Sequence, residues 1–205
     1  MNKGIIIAIV AVVLVVGAVA FMNSNNMNET EQAQQTNQEQ SGDSMMMADE
    51  QEGVTVGGAL MTPNKDIVDN AVNSNDHTTL VAAVQAAGLV ETLKGEGPFT
   101  VFAPTNAAFD KLPEGTVDTL LLPENKDTLT GILTYHVVPG EYTSSDISDG
   151  MTLTTVQGED ITLMQKDGQW WIEDAKGGMS MITIADVISS NGVTHVVDTV
   201  LMPAN

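Results

Sequence analysis

A compact run of hydrophobic residues in the middle of the chain predicts a strand followed directly by a helix. Residues 99–102 (FTVF) are aromatic or β-branched, which is typical of a buried strand. Pro104 has no backbone N–H, so we expect the strand to end there. Thr105 or Asn106 can then cap a helix that runs through Phe109. Because three of the four phenylalanines lie in this stretch, we expect the core to form around it.

Apolar residues at helical spacing precede and follow this stretch. Residues 66–73 predict a short helix with its apolar side chains on one face. A second helix is predicted to begin with Thr78 or Thr79 as its cap and to end near Gly88. Residues 116–122, which lie between a glycine and a proline, predict a further short helix.

The segment 127–136 shows the clearest helical face. Its apolar residues and one histidine repeat at i, i+3, i+4 and i+7: Leu129, Ile132, Leu133 and His136. We therefore expect the His136 side chain to point toward apolar neighbours. The following residues, 137–140 (VVPG), predict the end of a strand and a turn.

From residue 151 onward the pattern becomes that of strands. Four stretches are rich in β-branched and apolar residues: 152–156, 161–164, 170–172 and 180–184. The middle two flank Asp167-Gly168, which favours a hairpin turn, and Asn191-Gly192 introduces a last β-branched strand. Helices first and strands later predict an α+β domain.

Three blocks of this sequence resemble fasciclin-like domains. They are GPFTVFAPTNAAFDKLP at residues 97–113, TYHVVPG at 134–140 and NGVTHVVDTVLMP at 191–203. The first and third are similar to the two signature blocks of that family, and the second to its Tyr-His segment. The resemblance covers roughly residues 54–205. It implies a wedge-shaped β-sandwich combined with several short α-helices, and a role in adhesion.

The N-terminal segment predicts that this domain lies outside the cytoplasm. Residues 4–22 form an apolar run that is long enough to span a bilayer at 1.5 Å per residue. Lys3 favours a cytoplasmic N-terminus, so the rest of the chain would lie outside. The alternative is a cleaved signal peptide, because Ala18-Val19-Ala20 fits a cleavage site. The expected locations are the cell membrane in one case and the periplasm or medium in the other.

Residues 23–53 predict a disordered tether between the membrane segment and the domain. They are acidic and rich in Gln, Asn and Met, without periodicity or aromatic residues. Three consecutive methionines, Met45–Met47, are a ligand type for Cu(I), but no histidine accompanies them. We expect a flexible linker and no bound metal.

Charge and composition exclude several functions. The formal net charge is -20 and the chain has no cysteine. So acidic a protein repels nucleic acid and anionic lipid headgroups, although it is compatible with divalent cations. Thiol catalysis and thiolate metal sites are ruled out, and no nucleophile elbow, HExxH motif or phosphate-binding loop occurs. We therefore expect no enzyme activity and no cofactor.

The resemblance supplies four candidate binding residues. Tyr135 and His136 match the Tyr-His segment that is implicated in adhesion by animal matrix proteins. Asp186 and Val187 occupy the place of the Asp-Ile adhesion motif of those domains, with valine in place of isoleucine. For each pair the residues also allow a structural role: a buried, hydrogen-bonded histidine, and an aspartate that caps backbone groups. His195 and Asn106 are interpreted as architectural.

These observations predict a cell-surface adhesion or interaction module. Its partner would be a protein or a matrix or cell-surface glycan. Trp170 and Trp171 must face opposite sides of a strand, so one can be an exposed anchor for such a partner. Two alternatives stay open: a small-molecule or metal-binding protein that uses a cleft between helices and sheet, and an unrecognised hydrolase.

Overall fold

The computed structural model describes residues 53–204. The predicted membrane or signal segment and almost all of the predicted tether therefore lie outside the described residues. Within the described range, no helix combines the length and the apolar character needed to cross a membrane.

Short helices are concentrated in the first half of the described chain. Their bounds are α1 Ile67–Val72, α2 Thr78–Ala87, α3 Val90–Leu93, α4 Asn106–Phe109, α5 Thr116–Leu120 and α6 Lys126–Tyr135. A 3-10 turn at residues 123–125 leads into α6. Helices α1, α2, α4, α5 and α6 lie where the sequence predicts helices. Val72 is expected on the apolar face of α1, but it is 53% exposed, so its predicted place on that face is wrong.

The strands form a hairpin and a larger sheet. The bounds are β1 Val54–Val56, β2 Ala59–Met61, β3 Phe99–Pro104, β4 Val137–Pro139, β5 Met151–Thr154, β6 Asp160–Lys166, β7 Gln169–Glu173, β8 Met179–Ser189 and β9 Gly192–Val197. β1 pairs with β2, and the other seven are ordered β4-β3-β9-β8-β7-β6-β5. The predicted hairpin turn at Asp167-Gly168 is confirmed, with positive φ at both residues.

The two signature blocks are neighbours in the sheet. β3 and β9 pair in parallel from Phe99 opposite Gly192 to Pro104 opposite Val197. Gly192 has φ +148°, and a Cβ there would lie 1.9 Å from the Phe99 carbonyl oxygen. Only a glycine allows the two strands to begin this close together.

One long strand joins two halves of the sheet. The first residues of β8 pair with β7, and the later residues pair with β9 across two register shifts. One apolar cluster takes side chains from both halves, including Phe102 and Val197 from one and Leu163 and Ile172 from the other. The halves therefore face each other across a shared core. The predicted α+β fold, a β-sandwich with several short helices, is confirmed.

A second apolar cluster lies between the helices and β3. Val101 and Ala103 pack against α2 and α6, while Phe102, between them in the strand, points to the other core. This alternation makes β3 the layer that separates two interiors.

Helix capping differs from the prediction at α2. Neither Thr78 nor Thr79 caps it. Instead Asn106 accepts hydrogen bonds from the Thr79 N–H at 3.0 Å and the Thr78 hydroxyl at 3.2 Å. Asn106 does not cap its own helix, since Thr105 accepts from the Ala108 N–H there. Asn106, which follows the end of β3 at Pro104, therefore fixes the start of α2.

Candidate interaction site

Asp186 lies in an irregular part of β8. The register with β9 shifts between Ile182 and Ile184 and again between Ile184 and Val187. At this bulge Asp186 has φ +59°, a left-handed conformation that aspartate tolerates better than most residues. Its side chain therefore leaves the regular alternation of the strand.

The Asp186 carboxylate holds the loop that follows β4. One oxygen accepts a hydrogen bond from the Ser144 N–H at 2.7 Å, and the other accepts from the Ser144 hydroxyl. The Asp186 N–H donates to Nδ1 of His195 at 3.3 Å. The expectation that this aspartate binds backbone groups is confirmed, and the partner, Ser144, is a residue that no sequence signal singled out.

His195 connects the same bulge to the interior. Its Nδ1 accepts from Asp186, so the ring proton is on Nε2, which donates to the Tyr142 carbonyl at 2.8 Å. The ring stacks on Phe102 with centroids 5.6 Å apart. Burial lowers the pKa of His195, although the bond to Tyr142 and the charge of Asp186 oppose this. A neutral, fully bonded histidine fits the predicted architectural role.

Val187 points inward. It is 0% exposed and packs with Val56, Met61 and Val196, so the β1–β2 hairpin covers it. No sequence signal indicated this hairpin, because strands of three residues are too short to show alternation. Val187 therefore anchors the bulge and has no surface to offer a partner.

A surface groove lies between the hairpin and the bulge. Its volume is about 300 Å³. Five apolar or small residues and one acidic residue line it: Gly53, Val54, Met61, Pro63, Ile188 and Asp186. We call it the Asp186 groove. It combines apolar walls with one partly exposed acidic group.

Tyr135 and His136 are buried at the end of α6. The Tyr135 hydroxyl donates to the Asp160 carbonyl at 2.9 Å and accepts from the Ala175 N–H at 2.8 Å. Nδ1 of His136 donates to the Ile132 carbonyl at 2.8 Å, and Nε2 accepts from the Leu201 N–H at 3.0 Å. Burial lowers the pKa of His136 to about 4, so the ring is neutral at pH 7.

The four predicted binding residues thus occupy two places. Asp186 and Val187 share the bulge, and Tyr135 and His136 share the end of α6; no hydrogen bond between described residues joins the two pairs. Of the four, Asp186 alone is partly exposed. A role for these positions in binding stays a prediction, and Asp186 is the one of the four with surface available for a direct contact.

The two tryptophans face opposite sides of β7, as predicted. Trp170 packs against the core that the two sheet halves share. Trp171 is half-buried on the outer face, opposite Met164 of β6 and Met181 of β8. The neighbouring methionines shield part of this indole, so Trp171 is only partly exposed, and its role as an anchor stays a prediction.

Two places among the described residues bring a serine close to a histidine or an aspartate, and neither has the arrangement of a Ser-His-Asp triad. Ser74 Oγ lies 2.9 Å from His77 Nδ1, but both side chains are buried. A Cβ at Gly57 would lie 2.4 Å from that oxygen, so the hairpin turn closes over the serine. At the bulge the Asp186 carboxylate bonds to Ser144 and makes no hydrogen bond to His195. In a triad the carboxylate bonds to the histidine, and the histidine bonds to the serine. No group of three potential metal ligands is found in residues 53–204.

Comparison with known sequences finds similar proteins in two bacteria and in a mammal. It is 48% identical over 157 residues to Protein sll1483 of Synechocystis sp., covering 77% of this chain and 84% of that one. It is 38% identical over 152 residues to the cell surface glycolipoprotein MPT83 of Mycobacterium tuberculosis, covering 71% and 64%. A third relative, transforming growth factor-beta-induced protein ig-h3 of Sus scrofa, is 37% identical over 149 residues, or 73% of this chain and 21% of that one.

The solved structures support the same assignment of fold. A FAS1 domain pair from the insect cell adhesion molecule Fasciclin I matches with a TM-score of 0.62, over 70% of this chain and 52% of that one. Its 19% sequence identity supports the fold alone. The family model for the fasciclin domain matches residues 75–203. This chain belongs to the fasciclin domain family.

Proposed function

We propose that this protein is an extracytoplasmic adhesion or interaction module, and that its partner docks in the Asp186 groove. The observation that carries the proposal is a partly exposed carboxylate held in a left-handed bulge beside apolar walls. A strained residue that the surrounding hydrogen bonds hold in place is typical of a site kept for function.

The Asp186 carboxylate keeps acceptor capacity for a partner. Two oxygens offer about four lone-pair positions, and Ser144 uses one on each oxygen. The remaining positions suit the ammonium or guanidinium group of a protein or the hydroxyl groups of a glycan. Val54, Met61 and Ile188 then provide apolar contact beside that polar bond.

The three buried candidate residues support binding only by stabilising the folded domain. Val187 holds the bulge against the hairpin, and Tyr135 and His136 fix the end of α6. Substituting them would alter adhesion by destabilising the domain, so they are unsuitable for mapping the contact. Asp186 is therefore the position that can map the contact with a partner.

The proposed setting is the outer surface of the cell. Residues 4–22 would hold the chain in the membrane, or be removed as a signal, and residues 23–53 would tether the domain. The name of one relative, a cell surface glycolipoprotein, is consistent with this location. We propose no catalytic activity, no cofactor and no nucleic-acid partner.

The test compares two aspartates with the same backbone geometry. Asp186 and Asp167 both have positive φ, and Asp167 lies in the distant β6–β7 turn. Asn tolerates this conformation, so Asp186→Asn and Asp167→Asn each remove one charge without backbone strain. The full chain and both variants are coated on beads at equal density, and attachment of the producing cells is counted.

We expect Asp186→Asn to weaken attachment about tenfold, which corresponds to roughly 1.4 kcal/mol, and Asp167→Asn to leave it unchanged. Equal attachment by all three proteins, or equal loss in both variants, would contradict the proposal. Treating the cells with protease in one arm and with periodate in another then separates a protein partner from a glycan.

A further inference from the structure

A cavity lies between the helices and the sheet, on the opposite side of β3 from the shared core. Its volume is about 180 Å³, and it opens to the surface where exposed residues such as Val72 and Gln85 belong to its lining. Its walls are almost wholly apolar and come from α1, α2, α6, β3 and β9: Val68, Leu80, Leu133, Val101 and Val196 among others. The fold therefore leaves space in the layer where helices pack on the sheet.

The size of this space limits its contents. An engineered cavity of about 150 Å³ with similar walls stays dry and binds benzene or xenon. Water needs several polar partners to enter such a space, and these walls offer few. A single aromatic ring or a short alkyl chain matches the available volume.

Polar residues also line the cavity, and one of them, His77, has a buried polar atom without a hydrogen-bond partner. His77 is 1% exposed, lies on the cavity wall, and has no hydrogen-bond partner for its Nε2. Its Nδ1 lies 2.9 Å from Ser74 Oγ, which itself accepts from the Asp76 N–H at 3.3 Å. We assign the Ser74 hydroxyl proton to Nδ1 and the ring proton to Nε2, because the Ala103 carbonyl beside the ring can only accept a hydrogen bond. The Ala103 carbonyl is near enough to influence the ring, but it makes no hydrogen bond of normal geometry.

The charge around the cavity favours an uncharged occupant. Burial lowers the pKa of His77, against the opposing effects of Asp76 and Ala103, so the ring is neutral at pH 7. Lys94 lies at the edge of the cavity, but it contacts Asp66 at 3.1 Å and also Asp69, which compensate its charge. His136 also lines the cavity, and both of its nitrogens are already bonded.

We propose that this cavity binds a small neutral molecule, a single ring or short chain with one carbonyl or ether oxygen, which accepts a hydrogen bond from Nε2 of His77. A buried donor without a partner destabilises the folded protein, and a hydrogen bond to the oxygen of the ligand removes that cost. The ring or chain of the ligand fills empty space and gains van der Waals contacts. The cavity and the Asp186 groove share Met61, but His77 and the residues substituted below do not line the groove, so failure of one proposal is distinguishable from failure of the other.

Three fluorinated probes of similar size test the chemistry. Para-fluoroacetophenone has a ring and one carbonyl, para-fluorotoluene has the ring without an acceptor, and para-fluorobenzoate adds a charge. Binding to the full chain in phosphatidylcholine nanodiscs is measured by fluorine NMR. Partition into the lipid is common to all protein variants, so differences between variants report the cavity.

Three variants locate the binding. His77→Phe keeps a ring and removes the donor. Val84→Phe fills the cavity from α2, and Ala71→Phe fills it from the half-exposed end of α1 if the first variant does not fold. Ala82→Phe, on the exposed face of α2, is the matched control.

We expect the wild-type chain to bind para-fluoroacetophenone about five- to tenfold more tightly than para-fluorotoluene, and not to bind para-fluorobenzoate. His77→Phe removes that preference, the filled variants lose both probes, and Ala82→Phe behaves as the wild type. The proposal is overturned if no probe binds the wild type, if the filled variants bind as well as it does, or if the preference survives His77→Phe.

Discussion

Two helix ends in this domain each hold a buried histidine, and they differ in how completely that histidine is bonded. At the end of α6, both nitrogens of His136 and the hydroxyl of Tyr135 have partners. At the start of α2, Nδ1 of His77 pairs with Ser74. The Nε2 atom of the same ring, which lies on the cavity wall, has no hydrogen-bond partner. Buried polar groups are normally paired, so the α6 end is a finished structural element and the α2 end retains capacity to bind.

The difference shows why residue type alone is a poor guide to function. The sequence directed attention to Tyr135 and His136, because they match a motif associated with adhesion. The structure places them where all their polar atoms are used. His77 matched no motif that we considered, yet it is the histidine with an unused donor. Four predictions can break or sharpen this contrast.

The largest effect is expected for His136→Ala. It leaves the Leu201 N–H and the Ile132 carbonyl without partners and opens a hole beside both cores. The free energy of unfolding should fall by about 3–5 kcal/mol. Urea denaturation followed by the fluorescence of Trp170 and Trp171 measures this. A loss below about 1 kcal/mol would mean that the α6 end is not the tightly bonded element described.

Acid should act through the same residue. The pKa of His136 is lowered to about 4 in the folded chain from 6.5, so the unfolded chain binds the proton more readily. The contribution of neutral His136 to the free energy of unfolding is fully present above pH 6.5 and is lost as the pH falls toward 4. The total loss from this residue is about 3 kcal/mol. Burial lowers the pKa values of His77 and His195 as well, which adds to the loss in the same direction.

His136→Gln removes the titrating group and retains a donor and an acceptor. Its urea midpoint should therefore depend less steeply on pH between 6.5 and 4 than that of the wild type. Parallel pH profiles for the two proteins would instead assign the acid sensitivity to other groups.

Tyr135→Phe is expected to have an intermediate effect. It deletes one oxygen, which leaves the Ala175 N–H and the Asp160 carbonyl unpaired. We expect the free energy of unfolding to fall by about 1–2 kcal/mol, measured in urea at pH 7. No change would show that water or another group replaces the hydroxyl at no cost.

His77→Phe should have the smallest effect, within about 1 kcal/mol of the wild type in either direction. It loses the bond to Ser74 but also removes a buried donor that has no partner, and these effects oppose each other. The same urea measurement compares it directly with Tyr135→Phe. A loss above about 2 kcal/mol would indicate that Nε2 is bonded in solution, and the contrast between the two helix ends would disappear.

Local patterns predicted the elements well where one segment contains all the necessary information. The apolar stripe at Leu129, Ile132 and Leu133 is buried in α6, and Asp167-Gly168 forms the turn between β6 and β7. The caps were less predictable. Thr105 caps α4 from within its own segment, but α2 is capped by Asn106 from another element, and no local pattern can indicate a partner 27 residues away.

The candidate site was predictable only in part. Asp186 could be selected by its resemblance to a motif, and it is the exposed member of the four predicted residues. The groove beside it needs the β1–β2 hairpin, which packs across β8 and carries no signal of its own. The serine that holds the carboxylate lies 42 residues earlier in the chain.

The sequence by itself determined the family, the α+β class and the acidic character, because these depend on composition, spacing and contiguous blocks. It also determined that β3 and β9 carry the conspicuous β-branched runs, although not that they lie side by side. Only the tertiary structure decided which polar atoms are bonded and which are left over. That outcome depends on the distances between segments far apart in the chain, where a few tenths of an ångström separate a made hydrogen bond from a missing one.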